Sequence, residues 1–232
     1  MAEGQRRLRI LSQLTADGLE FDTRHLCQVS ADVMGMSGAG IMLMSNDVSR
    51  SAVGTTDEVS ALIEQLQYAL GEGPSIDTYR QDRPISEPNL AHPRTSRWLA
   101  FSAPALEAGV QAVFGFPLHV GAVRLGSLNL YCDRPGPLTD EQHADGLVMA
   151  DIVAQAVLLL QANAPTDTLA AELEAGAEFQ YVVHQAAGMV SAQLDVSIAQ
   201  ALIRLRACSF SSGRPLIQVA EDVVARSLRL EG

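Results

Sequence analysis

The sequence predicts an α+β chain, with a largely antiparallel sheet covered by helices, then a connecting helix, then a small three-helix bundle. Three observations carry that prediction. The first 162 residues read in the order helix, two strands, helix, strand, helix, hairpin, helix, which gives antiparallel pairing with helices packed on the sheet. Residues 178–232 read as three short helices with apolar positions at helix spacing. Charge divides at the same place: residues 1–177 hold 11 arginines against 22 acids, and residues 178–232 hold five against five.

The elements follow in order. Asp22 to Met34 is helical, with Leu26, Cys27, Val29 and Val33 recurring at helix spacing and Gly35 as a stop. Ala39 to Met44 is a short apolar run without helix caps and reads as a strand. A turn at Ser45-Asn46-Asp47 leads to a second strand near Arg50 to Gly54. Thr56 is placed to cap the next helix, whose apolar positions are Val59, Leu62, Ile63, Leu66 and Ala69 and which ends at Gly71-Glu72-Gly73-Pro74. Pro84 to Pro88 has room only for a short extended piece, and Trp98 to Ala108 reads as a helix stopped by Gly109. Two alternating strands come next. In Val110 to Val120, Ala112, Phe114, Phe116 and Leu118 share one face, with Val113, Gly115 and His119 on the other. In Arg124 to Cys132, Leu128, Leu130 and Cys132 face oppositely to Ser127, Asn129 and Tyr131. Thr139 and Gln142 form a capping box for a long helix, Asp140 to Gln161.

The carboxyl-terminal segment opens with a break at Asn163-Ala-Pro165, and Thr168 to Glu178 reads as a connecting helix. Phe179, Val182, Val183, Ala186 and Val190 then mark one apolar helix face. Ser197 and Gln200 open a second helix with a capping box; its expected core face is Ile198, Ala201, Leu202, Leu205 and Ser209, with Arg204 and Arg206 to either side. A third helix starts at Pro215 and buries Leu216, Val219, Ala220 and Val223, with Asp222 and Arg226 at ion-pair spacing. Arg214 stands where that helix needs an N-cap, which leaves its first N–H groups either to water or to a phosphate held by the guanidinium.

Composition sets limits. With 232 residues and 47% apolar content the chain has material for one large domain or two small ones, and a core can form. No window approaches the roughly 18 consecutive apolar residues of a membrane span. No apolar stretch follows Arg6, Arg7 and Arg9 to make a secretory leader. Cys27, Cys132 and Cys208 have no metal-ligand spacing and suit a reducing cytoplasm. The net charge of -11 argues against general nucleic-acid affinity. All 16 basic residues are arginine, so no lysine-dependent phosphate loop exists. No nucleophile elbow occurs and the five histidines are scattered, so the chain is not expected to be an enzyme and implies no metal or nucleotide cofactor.

The stretch Gly71-Glu-Gly-Pro-Ser-Ile-Asp-Thr-Tyr-Arg80, then Arg83-Pro-Ile, Arg97-Trp98 with Phe101, Ala112-Val-Phe-Gly-Phe-Pro-Leu118 and Leu125-Gly-Ser-Leu-Asn-Leu-Tyr131 resembles a GAF domain of the actinobacterial sort. The resemblance implies a sensor of small molecules or redox state, or a dimerisation module. The lysine-containing cyclic-nucleotide signature of that family cannot be intact, and no bilin-attachment cysteine is evident. A pocket in such a domain is expected between the sheet and residues 72–101. Its polar candidates are Arg97, His119, Asn129 and Tyr131, and its candidate walls are Trp98, Phe101, Phe114 and Phe116. The same aromatics suit a plain core, and His119 suits a strand surface.

Further on, His184-Gln-Ala-Ala-Gly-Met-Val190, Leu194-Asp-Val-Ser197, Ala201-Leu-Ile-Arg-Leu-Arg-Ala207, Gly213-Arg-Pro-Leu216 and Val219-Ala-Glu-Asp-Val-Val224 resemble the ANTAR domain. That resemblance implies a three-helix RNA-binding module of transcription antiterminators, which as a homodimer binds paired short hairpins in nascent messenger RNA. Its candidate RNA-binding residues here are His184, Gln185, Arg204, Arg206 and Arg214. The family's usual Gln-Ala-Lys-Gly is Gln185-Ala186-Ala187-Gly188 in this chain. The expected organisation is an N-terminal segment 1–21, a GAF-like sensor 22–162, a linker 163–177 and an ANTAR module 178–232. The sensor is expected to answer to an unidentified small-molecule effector. The alternatives are a regulator with a ligand-less GAF domain whose ANTAR helices serve dimerisation or protein contacts, or one that binds DNA.

Overall fold

The computed structural model describes residues 3–16, 22–45, 48–93, 97–163 and 182–230, and the chain divides into two compact units, 1–163 and 164–232. The first unit is built on five strands: β1 (Gly38–Ser45), β2 (Val48–Thr55), β3 (Ile85–Glu87), β4 (Ala112–Val120) and β5 (Val123–Cys132). They lie in the order β2-β1-β5-β4-β3, and every neighbouring pair is antiparallel. β4 and β5 form the predicted hairpin, closing at Val120 opposite Val123 over Gly121, whose φ of 60° belongs to the left-handed region. Residues 46 and 47 of the expected first turn lie outside the described residues.

Among the described residues the first unit has six helices, and periodicity predicts four of them. α2 (Thr23–Met34) is held as read, with the Asp22 carboxylate accepting from the His25 N–H at 2.7 Å and Gly35 closing it at φ 62°. α3 (Glu58–Leu70) is capped by Asp57, one residue beyond the expected Thr56, in a reciprocal box with Ser60. α5 (Leu99–Glu107) and the long α6 (Asp140–Asn163) also fall where periodicity puts them. Two helices went unread: α1 (Glu3–Ala16), whose polar residues obscure a buried edge of Ile10 and Leu14, and α4 (Pro74–Gln81), too short to show a period. α1 is fastened to α6 by ion pairs as well as by packing. Arg6 Nε and Arg9 Nη2 lie 2.6 and 2.7 Å from the buried Asp145 carboxylate, and Arg7 reaches Asp151.

Strand alternation sorts the core into two layers. Ala39, Ile41, Phe114, Phe116, Leu128 and Leu130 pack against α1, α2 and α6. Over Asp140–Leu160, α6 is long and apolar enough to cross a membrane, but half of that stretch is buried within this fold. Gly146 lets α6 come down on the sheet, since a Cβ there would stand 2.3 Å from the Phe116 ring. On the opposite face, Val113 and Tyr131 join Ile63, Trp98 and Phe101 from α3 and α5, while Met42 and Met44 meet Ile76 and Tyr79 of α4.

The second unit contains α7, a helix whose described part spans 182–194, followed by α8 (Ile198–Ser212) and α9 (Leu216–Val224). Val183, Ala186, Val190, Ala201, Leu205, Leu216, Val219, Ala220 and Val223 are buried, as the periodicity requires. The connecting helix read at 168–178 and the core position Phe179 lie outside the described residues. Two expectations are corrected. Ile198 is 54% exposed, because the first residue after the Ser197 cap stands off the bundle. Asp222 pairs with Arg214 at 2.5 Å instead of Arg226, because α9 ends at Val224 and Arg226 turns away at φ 60°.

Candidate functional site

In the first unit, the space between α3, α4 and the sheet is occupied by a buried polar cluster. α3 turns Ser60, Ile63, Glu64, Gln67 and Tyr68 inward, an i, i+3, i+4, i+7, i+8 face. Glu64, 2% exposed, comes down on β1 where Gly40 leaves room; a Cβ on Gly40 would stand 2.6 Å from Glu64 Oε1. Asn129 on β5 donates its amide to Glu64 Oε1 at 2.7 Å and to the Ser75 hydroxyl, while the Ser75 N–H donates to Gln67 Oε1 at 2.6 Å. Burial pushes the Glu64 carboxyl up to about 8, although hydrogen bonds from Asn129 and Ser75 pull it the other way. A neutral acid therefore sits at the centre of this cluster near neutral pH. The cavity left beside it, lined by Gly40, Glu64, Val113, Asn129 and Tyr131 among others, measures about 10 Å³. That is the lower limit for one water molecule.

The residues predicted to make a pocket are divided by the fold. Asn129 and Tyr131 face α3 and α4, as expected. The Tyr131 hydroxyl donates to the Asp57 carboxylate at 2.7 Å. Burial raises Asp57, but hydrogen bonds from Ser60 and Tyr131 outweigh it and leave the carboxyl below its usual range. Burial pushes the Tyr131 phenol up, and Asp57 adds to that rise. Trp98 is buried on the same side and donates from Nε1 to Asp77 at 3.0 Å. The Arg97 guanidinium lies 4.3 Å from the centre of the Trp98 ring and donates to the Ser86 carbonyl at 2.9 Å, with the buried Glu87 carboxylate 3.8 Å away. Phe114 and Phe116 lie in the other layer, under α2 and α6. Phe114 there lines a separate cleft of about 200 Å³ together with Met36, Cys132, Arg134 and Gln142. His119 is exposed near the β4–β5 turn.

Sequence reasoning missed Glu64, Gln67 and Ser75. The apolar positions of α3 are Val59, Leu62, Ile63, Leu66 and Ala69, of which Ile63 is buried as expected, whereas Leu62 is 40% exposed and the polar Gln67 is fully buried. Gly40 and Gly73, both of which would clash with those polar side chains if given a Cβ, were the available signal.

In the second unit, His184 and Gln185 are exposed on α7, while Ala187 is fully buried. Arg204 and Arg206 are half-buried on α8. Being two residues apart they diverge by about 200° around the helix. Arg214 follows Gly213, the left-handed residue that ends α8, and α9 starts behind Pro215 without a side-chain cap. The hydrogen bond from Arg214 holds Asp222 below the usual carboxylate range. Among the described residues no group of histidine, cysteine and carboxylate side chains could hold a metal ion.

Comparison with known proteins agrees with these two units. Residues 23–157 match the model of the GAF domain and residues 171–224 that of the ANTAR domain, a family associated with RNA binding. The first unit is similar in fold to the GAF domain of an Acinetobacter phosphoenolpyruvate-protein phosphotransferase, at 12% identity and TM-score 0.50 over 70% of this chain and 98% of that one. It is similar also to the corresponding domain from Coxiella burnetii, at 16% identity and TM-score 0.50 over 69% of this chain and 98% of that one. No curated protein matches. The neighbours share the fold alone, but the family models cover both units in order, and the chain belongs to the GAF family, joining to that sensor-type domain an ANTAR domain as a GAF- and ANTAR-domain-containing regulator.

Proposed function

We propose that this chain is a cytoplasmic RNA-binding transcription antitermination regulator, in which the GAF unit controls a dimeric ANTAR unit that binds paired short hairpins in nascent messenger RNA. The observation that carries this reading is the ANTAR match over 171–224, within which His184, Gln185, Arg204, Arg206 and Arg214 lie exposed or half-buried. Hairpin loops display unstacked bases and phosphates, which guanidinium groups hold in a forked, two-bond geometry. A module with five arginines and five acids binds weakly as one copy. Two copies joined through their GAF units raise each other's effective concentration on a paired-hairpin target. Control by an effector requires that it bind two states of the protein with different affinity. Crosslinking in cells followed by sequencing of the bound RNA tests the reading. Enrichment of hairpin pairs ahead of terminators supports it. Absence of RNA, together with unchanged regulation after replacing Arg204, Arg206 and Arg214 by Ala, defeats it.

A second reading, in which the GAF unit takes no ligand and only joins two copies, is favoured by one observation. The space where an effector would lie against Asn129 and Tyr131 is closed to about 10 Å³ by Glu64 and its partners. A thermal-shift screen of small metabolites separates the two readings, since a ligand-less unit gives no stabilisation with any compound. DNA recognition is disfavoured because Arg204 and Arg206 diverge around α8 and do not make one face for a major groove.

A further inference from the structure

The last turns of α8 hold an aromatic ring in solvent. Phe210 is 63% exposed, and Ile203, seven residues earlier on the same helix face, is 62% exposed. Isolated exposed apolar residues are ordinary on protein surfaces, so the ring alone says little. Its charged surroundings say more. Arg206 stands one turn before Phe210 on the same helix. Past Gly213, the Arg214 N–H donates to the Ser209 carbonyl at 3.1 Å and the Ser209 hydroxyl donates to the Arg214 carbonyl at 2.7 Å. Those two bonds strap the backbone of Arg214 to the turn that carries Phe210. In a chain of net charge -11, residues 198–212 contain two arginines and no acid. The Arg214 guanidinium is held by Asp222 of α9 at 2.5 Å, so a phosphate reaching it has to share it with that carboxylate. An exposed ring one turn from Arg206, on a helix that carries no acid, is complementary to an unpaired base next to a phosphate. A second copy of α8 is a poor occupant, since a two-fold contact would set like charges against each other.

We propose that Phe210 is a base-stacking platform, on which an unpaired base of an RNA hairpin loop lies while its flanking phosphates meet Arg206 and Arg214. This rests on the RNA-binding reading above and names the residue that takes the base. Stacking on a ring is tolerant of base identity because every base has a π face. Phe210 therefore supplies affinity for single-stranded loops without choosing their sequence.

The test uses the full chain and the variants Phe210→Leu and Phe210→Trp. The probe is a synthetic RNA of two tandem hairpins with randomised loops, alongside the same stems carrying abasic loops. Circular dichroism establishes that each variant is folded. The expected result is that Phe210→Leu, which keeps an apolar side chain but loses the ring, binds the randomised loops about tenfold more weakly. Phe210→Trp restores binding, and on abasic loops the three proteins become equal. Wild-type affinity in Phe210→Leu overturns the proposal. So does unchanged affinity with an altered sedimentation mass, which would make Phe210 a protein contact. If the wild-type chain itself fails to bind the randomised loops, the RNA-binding reading falls and this inference with it.

Discussion

Asn129 on β5 reaches across 65 residues of sequence to donate to the buried Glu64 carboxyl on α3 at 2.7 Å. This bond ties the middle of the sheet to the helix above it and fills the space between them with polar atoms. A carboxyl that must stay neutral to remain buried makes the first unit sensitive to pH.

Wild-type stability is expected to fall as pH rises from the Glu64 unfolded value of 4.5 to about 8, and then to level off. Within that window the unfolded chain has released the proton that the folded chain retains, so deprotonation favours unfolding. The slope per proton is about 1.4 kcal/mol per pH unit. Glu64→Gln keeps the shape without the proton and removes this slope. Urea unfolding of both proteins at about pH 5 and about pH 8 checks it, and a difference that does not grow with pH rejects it.

Gly40→Ala is expected to destabilise the first unit by about 1–3 kcal/mol, because its Cβ would stand 2.6 Å from Glu64 Oε1 in a site with no slack. Combining it with Glu64→Ala should recover part of that loss. Additive losses in a double-mutant cycle would show that the two positions do not compete for space.

Asp145→Asn is expected to cost about 3–5 kcal/mol, since it leaves the Arg6 and Arg9 cations facing a neutral amide within the fold. Arg7→Ala removes an exposed pair with Asp151 and should cost less than about 1 kcal/mol. Equal unfolding midpoints for the two variants would contradict the ordering.

Arg214→Ala is expected to weaken binding to hairpin RNA and to lower the dependence of log affinity on log salt by about one, as the loss of one phosphate contact requires. Fluorescence anisotropy across a salt series measures both quantities. A weaker affinity with an unchanged slope would assign Arg214 a structural part through Asp222 instead.

Much of the fold was legible along the chain. The alternation Phe114, Phe116, Leu118 against Val113, Gly115 and His119 placed each β4 side chain in its layer. Asp22, Gly35, Thr139 and Ser197 marked helix ends correctly, because capping depends on groups within one turn. α1 and α4 were not legible. One owes its place to Arg6, Arg9 and Asp145 meeting across 139 and 136 residues of chain, and the other to eight residues held by the sheet beneath them. The candidate pocket was legible only in part. Pattern put Asn129 and Tyr131 on one face of β5, but it offered no reason to bury Glu64, Gln67 and Ser75 against them.

By itself the sequence determined the strands, most helices and the two families it resembles, all of which rest on periodicity, local capping and short motifs. Only the tertiary structure decided that Phe114 and Phe116 lie away from Asn129, that Asp222 takes Arg214, and that Phe210 is left in solvent. The reason is physical. A side chain's periodic position says which way it points, while its burial, protonation and partners depend on what distant elements bring to the same point, as Asn129 and Gly40 do for Glu64.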